Sequence, residues 1–449
     1  MNPISTPVKK LFIRTFGCQM NEHDTQKMYA LLAPQGYRPT TRVEEADLIL
    51  VNTCSIREKS YHKALSEVGR SRKKGKEEGI IGIVGCVASQ EGEALMKRFP
   101  FVKLVVGTDH LTDLPKLVSS LSHQEKVVQS ESLPVESYRF PENFDLGIRP
   151  SDALKAFVTI IKGCDNVCSF CIVPRVRGKE VSRLPGEIVG EIQKLHSQGA
   201  REVMLLGQNV NAYGKKLSPR TSFPELLRKI DEETGIERLR FTSPHPQDLS
   251  DGLIEEYRIN QKLCRHIHLP VQSGSTSVLK KMRRSYTREV YLRKVNALKT
   301  VCPGLQISTD IIVGFPGETE EDFEQTLSLL REVRFQLVYS FTYSPRPGTE
   351  AFSFVDDVPL SVKEERLKIL QDLQEEIGLE INRDLVGKTV QVLVEGSSRQ
   401  GESGGEKQFM GRTSENHLIN FTGQSVQKGA IVPVAVQEAL AYSLKGVLV

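Results

Sequence analysis

Apolar runs alternate with amphipathic stretches from the start of the chain. KLFIRTFGC, ADLILVNTC, IIGIVGC and VKLVVGT read as strands, and HDTQKMYALLAPQG, SIREKSYHKALSEVGRSRKK and SQEGEALMKRF, which follow the first three, carry helical patterns. This β-α repetition predicts an α/β unit in which a parallel sheet carries helices packed on it.

Residues 123–152 break the rhythm. They are polar, contain three prolines and show neither helical nor strand periodicity, so a linker is expected. From residue 155 the alternation resumes with KAFVTIIKGC, REVMLLGQNVNAYG, ERLRFTSPHP, RHIHLPVQSGS, LQISTDIIVGFPGE and FQLVYSFTYSPRPGT. Six such units suggest a partial β/α barrel, open on one side. A charged helix around SVKEERLKILQDLQEEIGLEINRDLV then gives way to GKTVQVLVEG, QFMGRTSENHLINFTG and AIVPVAVQEALAYSLKGVLV, short alternating strands of a small all-β barrel.

At 449 residues the chain has room for about three domains, on a prior of roughly 150 residues each. No apolar stretch of signal-peptide length follows the first charges, and no run reaches the roughly 20 apolar residues of a membrane-spanning helix. A soluble, cytoplasmic protein without a membrane partner is expected. The net charge is only +4, so any nucleic-acid surface must be local.

Eight cysteines scattered through a large chain without a secretory signal favour metal ligation or catalysis over disulfides. Cys164, Cys168 and Cys171 form C-x3-C-x2-C in a loop after a strand. Three thiolates fill three iron sites of a cubane cluster and leave the last iron open, whereas a closed zinc site takes four protein ligands. A zinc site completed by a remote ligand such as Cys264, or three incidental thiols, are the alternatives. Cys18, Cys54 and Cys86 also follow strands, and right-handed crossovers bring those strand ends to one sheet edge. A second three-thiolate cluster follows, with buried core thiols as the alternative. Cys264 and Cys302 have no such grouping and read as structural. GFPGE at 314–318 lacks the lysine of a phosphate-binding loop, which argues against a nucleotide triphosphatase.

With Phe170 before its third cysteine, the C-x3-C-x2-C loop resembles that of the radical S-adenosylmethionine superfamily. The resemblance implies that the open iron chelates the methionine moiety and that an electron from the cluster releases a 5′-deoxyadenosyl radical. It assigns Glu180, Ser182 and Arg183, in RGKEVSR, to the methionine end of the cofactor. Ile312 and Gly314, on the fifth barrel strand, fall where the superfamily packs the adenine, while Glu318 stands one position late for the common pattern.

The two triads together make the chain resemble the methylthiotransferases. That family has an N-terminal domain with an auxiliary cluster, here 1–149 with the linker, a radical S-adenosylmethionine domain, here 150–384, and a TRAM barrel, here 385–449. TFGCQMNEHDTQKM, VNTCSIREKS, GCDNVCSFCIVPRVRGKEVSR, LLGQNVNAYG, HLPVQSGS and YSPRPGT look like the subgroup that acts on tRNA carrying N6-dimethylallyladenosine. GCQMN at 17–21 discriminates, and GCVASQ at 85–90 departs from the common pattern.

The resemblance implies 2-methylthiolation of that adenosine beside the anticodon. Two [4Fe-4S] clusters would serve, with two S-adenosylmethionine molecules per turnover, one to methylate a sulfur and one to take hydrogen from C2. The C2–H bond is strong and unactivated, beyond side-chain acid–base or nucleophilic chemistry. Transfer to a ribosomal-protein aspartate, or to threonylcarbamoyladenosine in tRNA, is the alternative.

Implied partners are the tRNA anticodon stem-loop and an electron donor such as flavodoxin or ferredoxin, with the chain acting as a monomer. The C-terminal barrel is nearly balanced in charge, so the better candidates for substrate binding are Lys280, Lys281, Arg283 and Arg284, with Arg288, in LKKMRRSYTR. Arg70, Arg72, Lys73, Lys74 and Lys76 are second, and a solvated helix face accounts equally for either run. A non-catalytic iron–sulfur RNA-binding protein is the rival from another class, separated by deoxyadenosine release.

Overall fold

The computed structural model describes residues 8–55, 58–141, 154–403 and 406–449. The N-terminal unit is a six-stranded, all-parallel sheet built from β1 (Lys9–Thr15), β2 (Tyr37–Pro39), β3 (Leu48–Thr53), β4 (Ile80–Gly85), β5 (Leu104–Val106) and β6 (Val127–Gln129), in the order β2-β1-β3-β4-β5-β6. Every residue of the central β3, LILVNT, is buried, as expected for a strand covered on both faces. Leu48 and Leu50 pack beneath α1 (Gln19–Leu32), while Ile49 and Val51 pack with Ala64, Leu65 and Val68 of α2 (Glu58–Lys74).

Three sequence expectations are corrected. Helix α1 starts at Gln19, ahead of the expected His23, because Cys18 already takes the extended cap conformation. The single helix expected over SQEGEALMKRF is two, α3 (Cys86–Glu91) and α4 (Glu93–Arg98), broken at Gly92, whose φ of 49° lies in the left-handed region. The linker is not wholly irregular: β6 lies inside it and pairs in parallel with β5, Leu104 opposite Val127. Its stretch 142–152 lies outside the described residues.

The second unit holds six parallel strands, β7 (Lys155–Thr159), β10 (Glu202–Leu206), β11 (Arg238–Phe241), β12 (His266–His268), β13 (Gln306–Val313) and β14 (Leu337–Thr342). They form two sheets, β11-β10-β7 and β12-β13-β14, joined by a parallel bridge between Leu239 and Leu263. A short hairpin, β8 (Ile161–Lys162) with β9 (Val181–Ser182), frames the cysteine loop and the helical turn α6 (Val173–Val176). Helices α7 (Pro185–Ser197), α8 (Phe223–Glu233), α9 (Asp251–Ile259), α10 (Thr276–Lys281), α11 (Arg288–Val301), α12 (Glu320–Val333) and α13 (Leu360–Arg383) follow in order.

The third unit is a closed barrel of β15 (Thr389–Ser403), β16 (Glu406–Arg412), β17 (Leu418–Thr422), β18 (Ile431–Ala439) and β19 (Leu444–Leu448), in the order β15-β16-β17-β19-β18. It sits against β11: Arg238 donates to the Arg412 carbonyl at 2.7 Å and Arg240 to that of Thr413 at 2.8 Å. Among the described residues no helix is long and apolar enough to cross a membrane.

The N-terminal unit meets the barrel through polar contacts. His23 and Thr159 share a 2.8 Å hydrogen bond, Asp24 pairs with Arg177 at 2.8 Å, and Asp109 pairs with Lys162 at 2.5 Å.

Candidate metal centre

Cys164, Cys168 and Cys171 lie in the loop between β8 and α6. Gly163 enters that loop at a φ of 78°, and a Cβ there would collide with the Lys179 carbonyl. The Cys164 amide donates to the Gly178 carbonyl at 3.1 Å, and Ser169 fixes the loop to the end of α10 through the Met282 and Lys281 carbonyls. Phe170 meets Phe315 edge-on at 6.5 Å, tying the loop to the turn after the fifth barrel strand.

Burial pushes the Cys164 thiol up to about 11 and that of Cys171 up to about 12, so loading a cluster here releases protons. Arg284 reaches in from beyond α10 and places Nη1 3.4 Å from the Cys168 sulfur, a fixed cation beside the developing thiolate charge. Three thiolates supplied by one loop fit a four-iron cube that keeps one iron open. The alternative ligand Cys264 sits by Arg240 and Ser414 at the opposite, C-terminal-barrel end.

Glu180 is buried against the same loop. Its carboxylate accepts from the Asp165 amide at 3.3 Å and from Asn209 Nδ2 at 3.4 Å, and burial raises its pKa. Asn209, in the LLGQNVNAYG stretch, was given no role by sequence reasoning. Its buried Oδ1 has no hydrogen-bond partner among the described residues, which leaves an acceptor for a ligand's donor. Ser182 Oγ accepts from the Gly214 amide at 3.0 Å.

Arg183 lies beyond Ser182 in the same segment. It is bound to Glu191 at 2.5 Å and to the Thr159 carbonyl at 3.0 Å, on the side facing α7 and α1. Gly314 has a φ of 68° and donates to Glu318 Oε1 at 2.8 Å, while Ile312 donates its amide to the Gln272 carbonyl. The displaced Glu318 thus closes its own turn and pairs with buried Arg366 at 2.9 Å.

Parallel strands carry Cys18, Cys54 and Cys86 to one sheet edge. The glycines before two of them are obligatory: a Cβ on Gly17 would stand 2.5 Å from that of Cys54, and one on Gly85 would stand 2.5 Å from Asn52 Oδ1. Cys54 and Cys86 are buried, and burial raises the Cys86 thiol. Cys86 packs directly on Ile172 and Val176, which follow the last cysteine of the barrel triad. Arg177 of that same segment binds Asp24 at 2.8 Å and Asn21 Oδ1 at 3.3 Å, beside Cys86 and Cys18.

Three family models match successive parts of the chain. Residues 10–107 match an uncharacterized protein family, UPF0004, residues 158–330 the Radical SAM superfamily and residues 383–449 the TRAM domain. A tRNA-2-methylthio-N(6)-dimethylallyladenosine synthase of Syntrophobacter fumaroxidans is 47% identical over 98% of this chain and 95% of its own. That of Geotalea uraniireducens is 47% identical over 99% of both chains. The chain belongs to the tRNA-2-methylthio-N(6)-dimethylallyladenosine synthase family.

The fold is shared more widely than the family. A radical S-adenosylmethionine methyltransferase, TsrM, from Kitasatospora setae, with tryptophan substrate and a cofactor analogue bound, superposes with a TM-score of 0.59 at 15% identity, covering 88% of this chain and 79% of that one. The cobalamin-dependent radical enzyme OxsB superposes at 0.53 with 12% identity, covering 82% and 56%.

In this family member the expected RNA-facing run divides. Lys280, Lys281 and Arg283 are exposed, with Lys281 on the Gly317 carbonyl at 2.6 Å and Arg283 on Glu350 at 2.6 Å. Arg284 is a correction: it is buried, and its partners are Cys168, Tyr286 and the Pro270 carbonyl. Arg70, Arg72, Lys73 and Lys74 remain exposed along α2.

A cavity of about 460 Å³ opens among the barrel strands, the first turn of α1 and the C-terminal barrel. Phe157, Met204 and Tyr339 form its apolar part, and Gln19, Glu22 and Arg240 are among its polar lining. Near it, His268 contacts Ser308 at 3.0 Å and Asp310 at 3.5 Å.

Proposed function

We propose that the protein methylthiolates C2 of N6-dimethylallyladenosine next to the tRNA anticodon, using two [4Fe-4S] clusters and two S-adenosylmethionine molecules per turnover. The observation that carries this reading is the packing of Cys86 on Ile172 and Val176, which sets one cysteine triad against the loop of the other. We read 1–149, 150–384 and 385–449 as its three functional units.

When bound, a cluster and S-adenosylmethionine supply a carbon radical strong enough to take hydrogen from an unactivated ring carbon. The chain's own residues do the rest. Cys164, Cys168 and Cys171 would hold the cofactor-binding cluster, and Cys18, Cys54 and Cys86 the auxiliary one. Glu180 and Asn209 offer acceptors for the amino group of the methionine end, with Ser182 beside them. Gly314 and Ile312 supply backbone against the adenine. Arg183 orients the loop through Glu191 and the Thr159 carbonyl.

Lys280, Lys281 and Arg283 offer charge to phosphates. We place the reaction in the cytoplasm, with the chain acting as a monomer and receiving electrons from a donor such as flavodoxin or ferredoxin.

The test offers the anaerobically reconstituted protein dimethylallylated tRNA, unmodified tRNA, threonylcarbamoyladenosine tRNA and the ribosomal-protein loop in parallel, read by mass analysis. Methylthiolation of the first alone is expected. Modification of the protein loop, or of a threonylcarbamoyladenosine tRNA, instead of the first substrate overturns the assignment. Iron analysis should give about eight irons per chain. The Cys164→Ala, Cys168→Ala, Cys171→Ala variant should keep about half, and an iron-free variant refutes the second site.

A further inference from the structure

Arg177 grows from one cysteine loop and ends in the other. Its backbone lies six residues beyond Cys171 in the barrel loop, yet its guanidinium is buried in the N-terminal unit. Nη1 meets Asp24 Oδ2 at 2.8 Å and Nη2 meets Asn21 Oδ1 at 3.3 Å. That same Asn21 Oδ1 lies 3.6 Å from the Cys18 sulfur, and Cys86 packs with Val176, the residue just before Arg177.

The anchorage is firm. Thr108 Oγ1 donates to the Val176 carbonyl at 2.6 Å, tying the backbone before Arg177 to the N-terminal unit. The Lys162–Asp109 pair at 2.5 Å closes the adjoining side, with the Tyr138 ring 4.0 Å from the Lys162 ammonium.

We propose that Arg177 is a positioning residue for the N-terminal triad. It carries a fixed positive charge from the barrel loop onto the thiolates of the second cluster, and so sets how readily that cluster accepts an electron. The inference rests on reading Cys18, Cys54 and Cys86 as ligands of a cluster. Its physical basis is that hydrogen bonds to the sulfurs and local net charge set cluster potentials, and that charges out of water act with little screening.

Asp24 gives the effect its sign. Arg177 stabilises the more negative, reduced cluster, whereas the Asp24 carboxylate opposes it from 2.8 Å behind the guanidinium. Removing one charge unmasks the other. Arg177→Met should therefore favour the oxidised cluster and Asp24→Asn the reduced one.

The experiment uses the full chain carrying Cys164→Ala, Cys168→Ala and Cys171→Ala, iron-reconstituted, so that only the N-terminal cluster reports. Dithionite titration followed by electron paramagnetic resonance measures its midpoint. Arg177→Met should shift the reduction equilibrium tenfold toward the oxidised form, about 59 mV for one electron. Asp24→Asn should shift it the other way, and Arg177→Lys should fall between Arg177→Met and the parent. Midpoints unchanged within twofold at full iron occupancy overturn the proposal. So do shifts of the same sign for Arg177→Met and Asp24→Asn, which mark mere loosening. A parent triple variant without iron fails earlier and refutes the second cluster itself.

Discussion

Replacing Arg284 by methionine separates a cluster role from an RNA role. The guanidinium is 8% exposed and spends its donors on the Cys168 sulfur at 3.4 Å, the Tyr286 hydroxyl at 2.8 Å and the Pro270 carbonyl at 2.8 Å. Hydrogen bonds to charged groups contribute about 1.5–3 kcal/mol each. The Tyr286 hydroxyl keeps a partner, because its one proton goes to the Val271 carbonyl at 2.9 Å, but the Pro270 carbonyl loses its charged donor. Methionine fills much of the stem's volume and removes a buried charge, so the net loss of fold stability should be about 2 kcal/mol.

The larger consequence falls on the barrel triad, where Cys168 loses its cation and cluster loading should drop. RNA binding is read from affinity at several salt concentrations. A residue contacting one phosphate of single-stranded RNA contributes about 0.7 to the slope of log affinity against log salt. Arg284→Met should leave that slope unchanged while lowering barrel iron. A slope reduced by close to one unit, at full iron and unchanged stability, refutes the burial argument.

Replacing the exposed Lys280, Lys281 and Arg283 together by alanine should lower the salt slope by about two units and leave tRNA-independent cofactor cleavage intact; an unchanged slope removes them from the RNA surface. Burial depresses four histidines, His245 to about 3, His417 to about 4, and His23 and His266 well below 6.5. The unfolded chain therefore binds more protons below pH 6.5, and stability should fall as pH drops from 6.5 toward 4, each histidine contributing about 1.4 kcal/mol per pH unit. Denaturant unfolding that is flat from pH 7 to pH 5 contradicts buried neutral rings. Glu318→Ala should cost about 2–4 kcal/mol by orphaning the Gly314 amide and leaving buried Arg366 with exposed Glu320 as its one carboxylate beside the residue-318 carbonyl. Equal losses for Glu318→Gln, measured by the same unfolding, would mean the charge is not what matters.

The strands were legible because LILVNT, IIGIVG and their counterparts are apolar enough to declare themselves, and each of the six expected barrel strands forms. The shared loop of Cys164, Cys168 and Cys171 and the shared sheet edge of Cys18, Cys54 and Cys86 were legible from spacing and strand ends. The short edge strand β6 was not, since three residues are too few to show a period of two. Arg284 was hidden inside a basic run. In LKKMRRS, Arg283 takes a φ of 53° and ends the helical turn, which throws Arg283 to solvent and turns Arg284 inward. A left-handed arginine leaves no mark in composition. Helix α1 likewise holds a polar set that composition does not place, for Asn21, His23, Asp24 and Lys27 are all buried.

That polar face of α1 meets the barrel where an apolar seam would serve stability equally well. Buried ion pairs add little over hydrophobic residues of similar volume, because desolvation cancels most of their attraction. What they add is alignment. An apolar seam tolerates a small slide between two units, whereas a slide here would strand Arg177 away from Asp24, or Lys162 from Asp109, as an unpaired charge in a dry joint. That costs several kcal/mol and admits one register. Lys27, in the same joint, is only 6% exposed. On the proposed two-cluster reading the two cysteine groups need a fixed separation more than a strong bond, and the charged joint between their loops supplies it.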